Sequence, residues 1–468
     1  MASLSERYAA LIDWVQEGGG QLHAGVEVAQ IDGMKGSFRA TDSVQKGDVI
    51  VALPLSKTLS YLNAISGHPD VTTFSHETFK SPGNTPIFPT EFISTVPPHV
   101  ISRFVLIHGC PLISLPLLVF IYEGATTADL YIRRQQYLLG SESKWWPYIS
   151  TLPQPENMAG MLPALWPEDD VDFLLGTNAY VAVQEIKSTL KKEYKDAMKL
   201  LPDSFRSGYT RPLYLWAYAI FTSRSFRPSL VLPEADSMQL PCAIDDFSVL
   251  LPLYDLGNHS PAARSSWTAD HASQLVSLRC GEAYGVGEQV FNNYGMKTNA
   301  ELLLGYGFIL PESETFHNDY VHIKTKAVDD DDLAGTHIVS LRPLSDPSSV
   351  VGRSRRLISS GTEVAPEFSH FQDSLVSSLY DAITAASGSG EEDDVSMDEM
   401  MAGKMPKAVR DRIIEALASK LIYDLDTLDE VEVPREDLNA NQQLAVQYRD
   451  QCHQVFQNAF RSLTSASP

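Results

Sequence analysis

The sequence predicts an α+β fold: a domain of short strands interrupted by a helical insert, followed by an all-α domain. Three observations predict it. Strand-like and helix-like stretches come in separate blocks rather than alternating, which disfavours a doubly wound sheet. The continuous apolar run Val49-Ile-Val-Ala-Leu-Pro54, preceded by Gly47, suits a fully buried strand. Beyond about residue 335, apolar residues recur at helical spacing along two long stripes. The 468 residues, at about 150 per domain, leave ample material for buried cores.

Taken in order, Tyr8, Leu11, Ile12 and Val15 mark one face of an amphipathic first helix, and no basic region followed by an apolar core suggests a secretory signal. Residues 62–100 are rich in Pro, Ser, Thr and Gly, with a turn signal at Ser81-Pro-Gly-Asn84, and read as an irregular excursion. The most apolar stretch, Phe104 to Tyr122, is broken by Pro111 and Pro116 and reads as a buried helix or helix pair rather than a membrane span of roughly 20 residues. Val183, Ile186, Leu190, Tyr194, Ala197 and Leu201 line one helix face, with lysines on the other. Short strands are expected again at Ser248 to Tyr254 and Gln289 to Phe291, separated by turns at Gly257, Gly281 and Gly287. The two late stripes are Val409, Ile413, Ile414, Leu417, Leu421 and then Leu444, Tyr448, Cys452, Val455, Phe456, Phe460, Leu463. These elements give a split domain over 1–310 with its insert at about 95–240, and a helical domain over 320–468. An acidic, Gly- and Ser-rich stretch at 387–403 reads as a disordered loop.

The charge is unusual. Fifty-nine acidic against 36 basic side chains give −23, which argues against a surface that holds nucleic-acid phosphates and favours a basic partner. Four cysteines, Cys110, Cys242, Cys280 and Cys452, lie too far apart in sequence for a disulfide framework or a CxxC pair, which points to a reducing compartment. The chain lacks a P-loop, GxGxxG, HExxH, GxSxG and an EF-hand loop, so nucleotide hydrolysis, dinucleotide redox chemistry, zinc proteolysis and α/β-hydrolase chemistry have no support.

What remains is a polar and aromatic cluster between 223 and 308. It holds Ser223-Arg-Ser-Phe226, Leu251-Pro-Leu-Tyr-Asp-Leu-Gly-Asn-His259, Phe291-Asn-Asn-Tyr-Gly295 and Asn299-Ala-Glu-Leu-Leu-Leu-Gly-Tyr-Gly-Phe308. With Lys35-Gly-Ser-Phe-Arg-Ala-Thr41 before the apolar strand and Ser143-Lys-Trp-Trp-Pro-Tyr-Ile-Ser-Thr-Leu-Pro153 in the insert, the order of these segments resembles the SET-domain protein lysine methyltransferases of the Rubisco large-subunit methyltransferase type. The resemblance covers most of the chain.

It implies transfer of a methyl group from S-adenosylmethionine to a lysine of a non-histone protein, with the last domain binding substrate. Such a transfer gains mainly from positioning and from excluding water, and requires no metal. The resemblance places backbone groups of Met34, Lys35 and Gly36 against the cofactor, Arg224 near its carboxylate, and Asp255, Asn258 and His259 in its binding segment. Gly307 and Phe308 follow the catalytic tyrosine, Tyr306, for which Tyr294 is the supporting partner. Taken alone, His259 reads as a hydrogen-bonded structural histidine, Arg224 as a surface ion-pair partner and Tyr306 as core; Trp145 and Trp146 read as packing residues. A substrate lysine must lose a proton before it attacks, and an apolar channel lowers its pKa by disfavouring the ammonium. A tyrosine, with a reference pKa of about 10, is a poor base for this at neutral pH.

The chain departs from the family pattern at Ser37, where a second glycine is usual and backbone freedom is given up, and at Met34, where an acidic residue is common. No C-x-C plus C cluster closes the motifs with zinc, which leaves the helical domain to close the channel. Two other readings are a histidine methyltransferase and a non-catalytic module that holds a basic partner. The expected substrate is a basic protein such as a ribosomal protein or translation factor, met by a monomer in the cytoplasm and also the nucleus.

Overall fold

The structure, a computed structural model, describes residues 3–31, 36–80, 86–110, 143–206, 208–233, 238–324, 335–359, 361–387 and 395–465. The turn at Ser81 to Asn84, the apolar run beyond Cys110, the acidic run Asp329 to Asp332 and residues 388–394 of the acidic stretch lie outside the described residues. The chain divides into two compact units, Met1–Met158 with Ser188–Tyr294, and Ala159–Lys187 with Gly295–Pro468. The cut falls inside the helix Asn178–Lys199.

In the first unit, helix Leu4–Glu17 opens on a capping box, with the Glu6 N–H donating to Ser3 Oγ and the Ser3 N–H donating to the Glu6 carboxylate. Its buried face is Tyr8, Leu11, Trp14 and Val15, one turn of apolar spacing apart. The strands that follow are β1 (Gln21–Leu22), β2 (Val26–Gln30), β3 (Gly36–Ala40), β4 (Val49–Pro54), β5 (Ser225–Phe226), β6 (Val249–Leu250), β7 (Ser266–Asp270), β8 (Leu275–Arg279) and β9 (Gln289–Val290). They form three antiparallel sheets, ordered β1-β4-β8-β7, β2-β3-β9 and β5-β6. The expected strand at 49–54 is β4, whose last five residues are buried because it pairs on both edges. The hairpin of β7 and β8 was not anticipated. Its β7 is a mostly exposed strand without an apolar face, and it turns through Gln274 at a positive φ of 55°.

The stretch from 62 to 100 is less irregular than expected. It contains helix Thr90–Thr95 and the start of Pro98–Gly109, while Tyr61–Ile65 is a fully buried turn of helix capped by Ser60. Helix Pro98–Gly109 packs on Arg211–Arg224, with Phe104 edge-on to Phe92 at 5.3 Å and stacked on Tyr209 at 5.5 Å. This aromatic packing supplies the rigid insert from whose last helical residue Arg224 projects.

In the second unit, the expected stripes are the helices Lys407–Asp429, burying Ile413, Leu417 and Leu421, and Ala440–Ser465, burying Tyr448, Cys452, Val455, Phe456 and Leu463. They share a core with helix Asp373–Ser387. Among the described residues, one antiparallel pair, β10 (Tyr320–Lys324) with β11 (Thr336–Ser340), is the exception to this helical make-up. Both strands carry a histidine and are short, so neither stood out in the sequence. The stretch expected to be disordered at 387–403 also becomes helical at its end: Ser396 caps Met397–Met401 in a box with Glu399, and Met400 and Met401 are buried. That S-x-x-E signal competes successfully with the surrounding acidic residues.

Asp170 ties the early part of this unit to the late part. Its buried carboxylate accepts from the side-chain amides of Asn439 at 2.8 Å, Asn441 at 2.9 Å and Gln442 at 2.9 Å.

Candidate active site

In the first unit, β3 places Gly36 and Ser37 in the middle of the β2-β3-β9 sheet, and β9 leads directly into Asn292–Tyr294. The segment after Leu253 is turned sharply by a positive φ of 68° at that buried leucine and runs as a short 3₁₀ turn through Asp255. It then lies alongside Asn292: the Asn292 N–H donates to the Asn258 carbonyl at 2.8 Å, and the Ser260 N–H donates to the Asn292 carbonyl at 2.9 Å. Two stretches more than thirty residues apart are thereby held side by side.

His259 and Tyr294 meet across this junction. Their rings stack at 5.1 Å and 18°, the Tyr294 N–H donates to His259 Nδ1 at 3.1 Å, and the Tyr294 hydroxyl donates to the Gly257 carbonyl at 2.9 Å. An Nδ1 that accepts carries no proton, so this His259 is the neutral Nε2–H tautomer and its ring is a structural prop.

Ser37 has a definite role. Its side chain is fully buried, and its hydroxyl accepts from the Gln289 amide at 2.9 Å and from the Asn258 N–H at 3.4 Å. The strand here is regular, paired Ala29 to Ser37, so a second glycine's freedom is not needed. Gly36 does need to be glycine, because a Cβ there would sit 2.4 Å from the ring of Tyr8, whose hydroxyl accepts from the Gly36 N–H at 3.0 Å.

Arg224 faces Asp255. Its Nη1 lies 3.2 Å from Asp255 Oδ2 and 3.4 Å from the Asp255 carbonyl oxygen. The Tyr148 hydroxyl donates to the same Oδ2 at 2.9 Å, while Oδ1 is buried with no partner among the described residues. Burial pushes the Asp255 carboxyl above its ordinary range, against the pull of Arg224 and Tyr148. Burial also works against the Arg224 charge, but Asp255, Tyr148 and Tyr294 outweigh it and raise its pKa. Every bond of the guanidinium among the described residues is made by Nη1, leaving the rest of the fork for an anion such as a carboxylate.

The structure thus brings Gly36, Arg224, Asp255, Asn258, His259 and Tyr294 into one connected region of the first unit. Met34 and Lys35 lie outside the described residues. Tyr148 and Tyr8 fall in segments the sequence singles out, but their site hydrogen bonds, to partners 107 and 28 residues away, are not legible there.

Tyr306, Gly307 and Phe308 lie in the second unit. The helix Asn299–Tyr306 is capped by Thr298 and Glu301 and ends at Gly307, where φ is 76° and a Cβ would meet the Met161 carbonyl oxygen at 1.9 Å. Only glycine fits there. Asn299 closes the segment from the other side: its Nδ2 donates to the Leu310 carbonyl at 2.8 Å and its Oδ1 accepts from the Leu310 N–H at 2.9 Å. Tyr306 packs edge-on to Phe308, with Lys297 Nζ 5.6 Å from its ring centre. Burial, with the charge of Glu301, pushes its hydroxyl up to about 12. At neutral pH it is a neutral donor and acceptor, and not a base.

No family model matches the chain. It is similar to the ribosomal lysine N-methyltransferase set10 of Schizosaccharomyces pombe, at 38% identity over 199 residues, 41% of this chain and 34% of that protein. A chloroplastic [fructose-bisphosphate aldolase]-lysine N-methyltransferase of Arabidopsis thaliana is 30% identical over 224 residues, 42% of each chain. An actin-histidine N-methyltransferase of Drosophila melanogaster is 28% identical over 215 residues, 42% of this chain and 37% of that protein. The matched segments thus span between a third and a half of these relatives' lengths. Among solved structures, the SET domain of Rubisco large-subunit methyltransferase bound to lysine and S-adenosylhomocysteine matches with a TM-score of 0.62 at 17% identity, over 99% of this chain and 92% of that one. The chain has that SET fold, and over about two fifths of its length it is similar in sequence to protein-lysine N-methyltransferases, one of them ribosomal.

Proposed function

We propose that this protein is an S-adenosylmethionine-dependent methyltransferase that acts on a lysine side chain of a non-histone protein. The observation that carries the reading is the connected set in the first unit: a half-buried arginine with most of its fork uncommitted, beside a backbone junction built by Asn258, His259 and Tyr294. When bound, the cofactor supplies an electrophilic methyl group on a sulfonium. The chain's own residues bind and orient it. Arg224 offers N–H donors to a carboxylate, Asn258 an amide donor and acceptor, and the backbone near Gly36 and His259 hydrogen-bonding edges. Asp255 supports Arg224 instead of meeting ligand, since its side chain is 1% exposed. Within the reading, Tyr306 is the catalytic tyrosine and Tyr294 its supporting partner, with Gly307 and Phe308 completing the motif and Met34 and Lys35 flanking Gly36. The catalytic domain runs over 1–310 and the substrate-binding domain over 320–468.

The substrate we propose is a basic protein of the translation apparatus, in keeping with the ribosomal lysine relatives and with the chain's −23 charge. The protein would work as a monomer in the cytoplasm and nucleus. Among the described residues no helix is long and apolar enough to cross a membrane.

The test is incubation with radiolabelled S-adenosylmethionine and a basic-protein extract. One or a few bands should be labelled, and Tyr306→Phe should remove most of the label, about tenfold or more. Mass spectrometry of the modified peptide should find methyl-lysine; methyl-histidine would assign the other acceptor. A pure protein that shows no calorimetric binding of S-adenosylmethionine is not this enzyme.

A further inference from the structure

Arg224 is prepared by residues outside its own segment. On its own, a guanidinium held by one nitrogen could swing, and a swinging fork loses the two-point match that makes arginine selective for carboxylates. Here the swing is limited through Asp255, and Asp255 is itself held from elsewhere. Its Oδ2 is shared between Arg224 Nη1 at 3.2 Å and the Tyr148 hydroxyl at 2.9 Å. Tyr148 is fully buried in the turn Trp146–Ile149, whose end is fixed by the Arg7 guanidinium on the Ser150 carbonyl at 2.6 Å. The Asp255 Oδ1 has no partner among the described residues. Among the described residues, Tyr148 is the neutral side-chain donor that keeps this carboxylate aimed at Arg224.

We propose that Tyr148 is a positioning residue for cofactor recognition: by donating to Asp255 Oδ2 it fixes the Arg224 fork for the carboxylate of an amino-acid-bearing ligand. The proposal rests on the function proposed above. It assigns Tyr148 no contact with ligand and no part in methyl transfer. Without the hydroxyl, Asp255 keeps only Arg224 and draws the guanidinium toward itself, and the carboxylate of the ligand meets a fork turned partly away.

Calorimetry on the full chain tests this with two probes, S-adenosylmethionine and decarboxylated S-adenosylmethionine, which retains the sulfonium and ammonium but lacks the carboxylate. Binding of each is read by displacement of S-adenosylhomocysteine. Tyr148→Phe should weaken S-adenosylmethionine about tenfold, the loss of one hydrogen bond to a charged group, and leave the decarboxylated probe within about twofold. The preference of the wild type for the carboxylate-bearing probe should shrink accordingly. Tyr209→Phe, which removes another buried hydroxyl of the same unit, one that meets His108 Nδ1 at 2.8 Å, should change neither. Equal weakening of both probes by Tyr148→Phe, or no weakening of either, overturns the positioning role. Absence of binding in the wild type would instead refute the proposed function, so the two failures are distinguishable.

Discussion

Two carboxylates in the first unit, Asp255 buried and Glu193 half-buried, sit beside an arginine and a tyrosine, yet they behave in opposite ways. Glu193, in the helical insert, accepts from Arg103 at 2.6 Å, Tyr214 at 2.9 Å and His99 at 2.9 Å, with both oxygens engaged. Burial alone would raise it, but these partners outweigh burial and hold it down to about 2. Asp255 has a longer arginine contact, one tyrosine and one bare oxygen, and burial wins. The difference is the depth of burial, complete for Asp255 and partial for Glu193, together with the number of donors. A saturated pair is a structural rivet, whereas an unsaturated one keeps its arginine partly uncommitted, which is the condition a ligand site needs.

Removing the arginine from each network should break this symmetry most visibly. Arg224→Ala leaves Asp255 buried with Tyr148 alone and should lower stability by about 3–5 kcal/mol in urea unfolding. Arg103→Ala leaves Glu193 two donors and should cost less, about 2 kcal/mol. Equal losses would mean that donor count does not set the difference.

Acid titration sharpens the contrast next. A carboxylate held at about 2, against an ordinary 4.5, contributes stability above pH 4.5 that is lost as pH falls toward 2, about 3 kcal/mol in all. Glu193→Gln should flatten that acid limb in a pH series of unfolding curves. Asp255, being raised, has the opposite sign: it favours the folded state at low pH and costs stability as pH climbs past its ordinary value of 3.8. Asp255→Asn should therefore leave the acid limb in place.

Two smaller effects concern the strand beside the site. Gly36→Ala, with its Cβ against Tyr8, should cost about 2 kcal/mol of stability and weaken cofactor binding together, measured by thermal unfolding and calorimetry. Ser37→Ala removes the acceptor for Asn258 and Gln289 and should cost about 1 kcal/mol. Were Ser37→Gly to match the wild type in stability, the hydroxyl would have no part in holding Asn258.

Much of this could be read beforehand where the signal is local. The helix faces of Leu4–Glu17, Lys407–Asp429 and Ala440–Ser465 follow from apolar spacing, and β4 from an unbroken apolar run. Arg224, Asp255, Asn258, His259 and Tyr294 were named from motif order, and the first unit joins them. The hairpin of β7 and β8, and the pair β10 and β11, were hidden because strands with exposed or histidine-bearing faces lack a clean period of two. Tyr148 and Tyr8 were hidden for another reason. A buried hydroxyl leaves no mark on its neighbours in sequence when its partner is 28 or 107 residues away.

The three amides on Asp170 have a consequence for how the chain reaches this state. They lie 269, 271 and 272 residues further along, so the second unit cannot be completed until nearly the whole polypeptide has been made. The residues of the first unit all precede Gly295. A chain made from its N-terminus therefore finishes the arginine-bearing unit while the segment 159–187 still waits for its partners, and that waiting interval is where chaperone dependence and proteolytic nicking should concentrate.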